Sequence, residues 1–230
     1  MALGATSPAG RAKYARAGLA SEPAELAPDT QVLLLRQLYQ AHLEQGQLEK
    51  AVEVAGQMAA VGPLADLAHH DASRALQASG DLPGAITAQR LAVRRSPAAR
   101  RSFHLWSLAT LQHFADDVDG ALRSLARAER WAHRDRPLIR AHAAYVRLSS
   151  GIASPELDKT VTELLESPAR EGYGQYLLGM LAWHMGDVRR AAVYLRAWLR
   201  RHAAADRAKV LTLQEELRRA RRVLADVESD

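Results

Sequence analysis

Three groups of residues in this chain have side chains suited to chemistry. His69, His70 and Asp71 stand together. Histidine and aspartate are common ligands of transition metals. Neighbours on a helix point about 100° apart, so two ligands on one face need a spacing of four. Four residues after His70 comes Arg74, whose charge repels a cation. No metal is expected there. Asp116, Asp117 and Asp119 crowd a second stretch. A calcium loop would need a glycine and a distant glutamate at set places. Gly120 and Glu129 do not stand there, so these acids are read as stabilising the N-terminus of a helix beginning near Val118. His104, His113, His133 and His142 lack a helical ligand spacing.

Other catalytic signatures are missing from the sequence. There is no glycine-rich phosphate loop, no His-Glu-x-x-His and no Gly-x-Ser-x-Gly. The absence of cysteine excludes disulfides, thiolate metal sites and a cysteine nucleophile. The expectation is a protein that is not an enzyme and binds no cofactor.

The elements that would position these residues are helices. Hydrophobic residues make up 48% of the 230, enough for a continuous core. Alanine, leucine and arginine favour helix, and no run alternates with the two-residue period of a strand. The net charge is +5, and only Lys13, Lys50, Lys159 and Lys209 are lysines, so arginine carries most of the positive charge. Met1–Gly10 lacks a long apolar stretch, and no segment reaches the roughly 18 apolar residues of a membrane span. A cytoplasmic protein is expected.

The helices repeat. Gly46 and Gly80 are 34 residues apart, as are Ala51 and Ala85, and Pro63 and Pro97. A turn glycine releases one helix through a left-handed conformation, a small alanine lets the next helix approach, and proline ends it. Short helix pairs of this kind bury their apolar faces only by stacking.

This pattern resembles the tetratricopeptide repeat (TPR) family, whose unit is an antiparallel helix pair of about 34 residues. The fifth unit matches most clearly, with Leu178-Gly179, then Gly186-Asp187 at the turn, then Ala191 and Leu195. The resemblance implies an all-α, right-handed α-solenoid of about five TPR-like pairs over residues 30–204. Residues 1–29 are expected to be partly disordered around a short helix at Ala12–Leu19, with Asp29 or Thr30 capping the first long helix. Residues 205–230 are expected to form a capping helix and tail, one apolar stripe running from Val210 to Val227. The third unit departs from the pattern: Phe114 to Ala121 lacks the turn glycine and reads one residue long. In the fourth, the second helix is expected to start at Pro155 behind Ser154 as cap.

In the family, the first helix of each pair lines a concave groove that binds partners. Transferring those positions gives Arg36 and Gln40 in the first unit and His70 and Arg74 in the second. Trp106 follows in the third, Tyr145 in the fourth, and Tyr173, Tyr176, Met180 and Trp183 in the fifth. Tyrosine, tryptophan, arginine and methionine are the residue types enriched at binding hot spots. A shift of one residue in register would move Trp106 and Trp183 into the core. The clamp some members use for C-terminal carboxylates is not expected, because Gln40, Asp71, Phe103 and Ser107 replace its residues. The resemblance implies a non-catalytic adaptor or scaffold for another protein or a peptide segment. The alternative is association with nucleic acid through arginines between Arg189 and Arg222.

Overall fold

The computed structural model describes residues 7–21 and 26–229. The described residues form helices and no strand. Helix α1 (Pro8–Ala20) precedes five pairs: α2 (Pro28–Glu44) with α3 (Leu48–Val61), α4 (Ala65–Ser79) with α5 (Leu82–Arg95), α6 (Ala98–Phe114) with α7 (Val118–Trp131), α8 (Arg136–Ser149) with α9 (Leu157–Glu166), and α10 (Tyr173–His184) with α11 (Val188–Ala203). Helices α12 (Arg207–Thr212) and α13 (Gln214–Ser229) follow. The chain forms two compact units. The first runs to Pro97 and takes in Asp206–Thr212, and the second comprises Ala98–Ala205 and the stretch from Leu213 onward.

One turn recurs in both units. Gly46, Gly80 and Gly186 take φ values of 72°, 88° and 77°, the left-handed region in which a Cβ is costly. The third pair keeps this turn without glycine, because Asp116 adopts φ 57°. Aspartate tolerates that region better than most residues, since its short side chain can bond locally. The turn is therefore intact, and Ala121 lies five residues beyond it, as Ala51 lies beyond Gly46. Asp81, Asp117 and Asp187 follow the turn residue and cap the second helix, each accepting from the backbone N–H three residues on at 2.9–3.0 Å. Ala51, Ala85, Ala121 and Ala191 are fully buried between paired helices. At Gly179 the approach of α11 is so close that a Cβ would come within 2.6 Å of Leu195.

Three boundaries differ from expectation. The N-terminal helix spans Pro8–Ala20, and its Ala12 and Ala15 are buried in one cluster with Leu35, Leu38 and Tyr39. Small side chains let it pack closely against α2, and the helix extends beyond Ala12–Leu19 at both ends; residues 1–6 and 22–25 lie outside the described residues. Helix α2 begins at Pro28, whose ring fixes φ for a first turn, and Ala27 rather than Asp29 or Thr30 holds the cap position. Helix α9 starts at Leu157, not Pro155, after Glu156 at φ 54°.

The single helix expected at the C-terminus is two. Thr212 is buried in the first unit, and its hydroxyl donates to the Lys209 carbonyl, which competes with continuation of the helix. The chain then leaves that unit, and α13 packs in the second against α10 and α11.

Candidate interaction surfaces of the two units

In the first unit, α2 and α4 carry Arg36, Gln40, His70 and Arg74. Tyr39 ties the two helices together, its hydroxyl donating to the Asp71 carbonyl at 2.9 Å. The Asp71 side chain is buried beside them, with Arg36 Nε 3.9 Å from its carboxylate, beyond hydrogen-bond reach. Burial pushes the Asp71 carboxyl up to about 6, against the pull of Arg36 and Arg74. The Arg36 side chain remains 44% exposed, Gln40 is exposed and Arg74 is half-buried. His70 does not join them. It is buried, with Nδ1 3.0 Å from Gln89 Oε1 inside the α4–α5 pair. Helix α12 packs on α2 and α4, and Arg207 sits where a Cβ on Gly46 would come within 2.7 Å of its guanidinium.

The second unit brings rings together instead. The Trp106 indole N–H donates to His142 Nδ1 at 2.8 Å. That nitrogen must then carry the lone pair, which places the imidazole proton on Nε2. Tyr173 lies edge-on to Trp106, ring centres 5.0 Å apart, and His113 lies edge-on to Tyr145 at the same separation. Tyr145 and Tyr176 are buried with their hydroxyl oxygens 3.5 Å apart, and Trp198 packs against Tyr176. Met180 is also buried. Tyr145, Tyr176 and Met180 therefore sit in the core, whereas Trp106, Tyr173 and Trp183 are half-buried.

Helix α13 reaches this cluster. Leu217, Ala220, Val223 and Leu224 are buried on it. Its Glu216 accepts from the Tyr173 hydroxyl at 3.4 Å. Arg219 donates to Glu215 at 2.8 Å and to the Tyr145 hydroxyl at 3.4 Å, and its guanidinium lies 4.9 Å from the centre of the Phe114 ring. Burial first, then Arg219, holds His113 down at about 4. Burial, then His113 and Arg219, hold His142 at about 3. Both rings are neutral near pH 7. Burial and the Glu216 charge push the Tyr173 hydroxyl well above its ordinary range.

Sequence reasoning missed Asp71, Phe114, Glu216 and Arg219 as parts of these surfaces. One signal was present: Trp106 and His142, and His113 and Ser149, are bonded pairs 36 residues apart, matching places in successive pairs. Nothing in the sequence tied Arg219 to Tyr145, 74 residues away. In the arginine-rich stretch, Arg190 pairs with Asp187, Arg201 with Glu171, and Arg218 with Glu215. Among the described residues, no group of three or more histidines and acids is placed to hold a metal, and no helix is long and apolar enough to cross a membrane.

Neither a protein-family model nor a curated relative matches the chain. Solved structures do. A tetratricopeptide repeat protein from Parabacteroides merdae is 15% identical with a TM-score of 0.61, covering 96% of this chain and 86% of its own. A Podosopora anserina putative kinesin light chain with nearly identical TPR-like repeats is 18% identical with a TM-score of 0.54, covering 82% of this chain and 98% of its own. A substituted form of that second protein is 17% identical with a TM-score of 0.55, covering 90% and 100%. At these identities the likeness concerns the fold, an all-α solenoid of TPR-like helix pairs.

Proposed function

With the tetratricopeptide fold as premise, we propose that the chain is a non-catalytic interaction module whose first unit takes an acidic segment of a partner protein on the face made by Arg36, Gln40 and Arg74. The carrying observation is the state of Arg36. Its Nε stands 3.9 Å from the Asp71 carboxylate, beyond hydrogen-bond reach, and nearly half of its side chain is open to water. Arginine offers five donors in a planar fork that matches a carboxylate. Arg74 supports the same reading from α4, and Gln40, one turn beyond Arg36, adds a neutral donor and acceptor.

Peptides selected from a random displayed library on the intact chain test this. Enrichment of acidic sequences is expected, with loss of about tenfold or more in affinity for the Arg36→Glu/Arg74→Glu chain, since each lost charge-assisted pair is worth roughly 1.5–3 kcal/mol. Selection of the same peptides by both chains sinks the proposal.

A further inference from the structure

The second unit carries a different surface, one already filled. We propose that its inner face is a docking site for an amphipathic helix bearing an arginine with a glutamate one turn before it, and that α13 occupies this site in cis. The inference rests on the reading of the chain as an interaction module but concerns the other unit.

A helix that only closed the end of a repeat array would need an apolar stripe and a polar exterior. Leu217, Ala220, Val223 and Leu224 supply that stripe. Helix α13 does more. It sends Arg219 to Phe114 of α6 and Tyr145 of α8, and Glu216 to Tyr173 of α10. Three first helices of successive pairs thus converge on two side chains of one helix. Phe114 offers its π-face to the guanidinium and Tyr145 its hydroxyl oxygen, a combination that selects a cation able to donate hydrogen bonds. Glu215, four residues before Arg219, aims the guanidinium. Glutamate and arginine at that spacing are neighbours on one helical face, so the recognised unit is helical.

Two observations mark α13 as a replaceable occupant. Both bonds to the tyrosine hydroxyls measure 3.4 Å, long for their kind. Next to them, His142 Nε2 and His113 Nδ1 are buried without a hydrogen-bond partner among the described residues. His142 Nε2 carries a proton, as the bond from Trp106 requires. His113 Nε2 is 3.1 Å from Ser149 Oγ, whose own proton goes to the Val146 carbonyl, so His113 donates there and its Nδ1 carries a lone pair. One unsatisfied donor and one unsatisfied acceptor therefore lie within electrostatic reach of Arg219. Buried polar groups left unpaired are costly. A helix from a partner that carried the same Glu–Arg pair plus one further polar side chain would satisfy what α13 leaves open.

The test uses the full chain and a labelled synthetic peptide of the α13 sequence, Gln214–Ser229. Hydrogen exchange of the wild-type chain is followed with and without excess peptide. Faster exchange over α13, with α10 still protected, is expected. Unchanged exchange over α13 overturns the proposal without any variant having to fold. In parallel, anisotropy should show the peptide binding Arg219→Gln at least tenfold more tightly than wild type, with the gain abolished when Phe114→Ala is added. Equal binding by all three chains also overturns it. The Arg36→Glu/Arg74→Glu chain should accept this peptide as wild type does, so failure here and failure of the first-unit reading are separable.

Discussion

The two units share one turn and one helix pair, yet their inner faces differ in kind. In the first, α2 and α4 carry Arg36, Gln40 and Arg74 around a buried Asp71, and the six-residue α12 packs on both helices. In the second, α6, α8 and α10 present Phe114, Tyr145 and Tyr173, and the side chains of the sixteen-residue α13 lie upon them. Position within a repeat is therefore not enough to make a residue accessible. Packing within a pair buries His70 and Tyr176, and α13 adds Glu216 and Arg219 at Tyr173 and Tyr145, which leaves charge at the surface of one unit and buried rings in the other.

The largest effect expected from this contrast is on stability. Tyr176 is fully buried, so Tyr176→Ala should cost about 3–5 kcal/mol in urea denaturation, as truncating a buried aromatic does. Gln40→Ala on the open face should stay within about 0.5 kcal/mol. A small effect at Tyr176 would mean that it lines an open groove after all.

The second effect is on pH dependence, and the units should respond in opposite directions. His113 and His142 are neutral when folded and held near 4 and 3, whereas the unfolded chain takes protons near 6.5. Their stabilisation is complete above pH 6.5 and is lost as pH falls towards 4 and below, by about 3 kcal/mol for His113 alone. Asp71 runs the other way. Its folded value near 6 exceeds the ordinary 3.8, so its contribution is present below pH 3.8 and lost as pH rises through 6, again by about 3 kcal/mol. Trp106, Trp131, Trp183 and Trp198 all lie in the second unit, so tryptophan fluorescence isolates its acid loss. Hydrogen exchange over α2–α5 reads the first unit, and Asp71→Asn should flatten its response while leaving the tryptophan transition in place. Parallel pH responses in the two readouts would break the contrast.

These differences also mark where the sequence could be read and where it could not. The first, second and fifth pairs follow from Gly46, Gly80 and Gly186 and from the alanine five residues after each, because backbone sterics and close helix approach leave few alternatives. The surfaces follow less well. Arg36, Gln40 and Arg74 keep exposed or half-buried side chains. Tyr145, Tyr176 and Met180 do not, since the transfer assumed an open face and the residues that meet the tyrosine cluster, Glu216 and Arg219, belong to a distant helix. Helical periodicity reports which side of α13 is apolar. It does not report what its polar edge touches. The break at Leu213 was equally hidden, because the apolar steps from Val210 to Val227 continue through it without interruption.

A smaller difference between the units lies in their turns, and it can be removed. In the first unit glycine holds the left-handed position at Gly46 and Gly80, whereas in the second Asp116 holds it in the α6–α7 pair at φ 57°. A Cβ in that region costs roughly 1 kcal/mol, partly relieved for aspartate. Asp116→Gly should therefore stabilise the chain by about 0.5 kcal/mol in thermal or urea unfolding. The gain is limited because glycine also gives the unfolded chain more freedom to lose. Gly80→Ala should destabilise by about 1 kcal/mol, although nothing lies within 4 Å of where its Cβ would be, so that the cost is conformational and not steric crowding. Asp117 must be left in place, since it caps α7 through the Gly120 N–H. If Asp116→Gly weakens the fold instead, the Asp116 side chain does more than tolerate its turn, and the two units differ in their turns as well as in their faces.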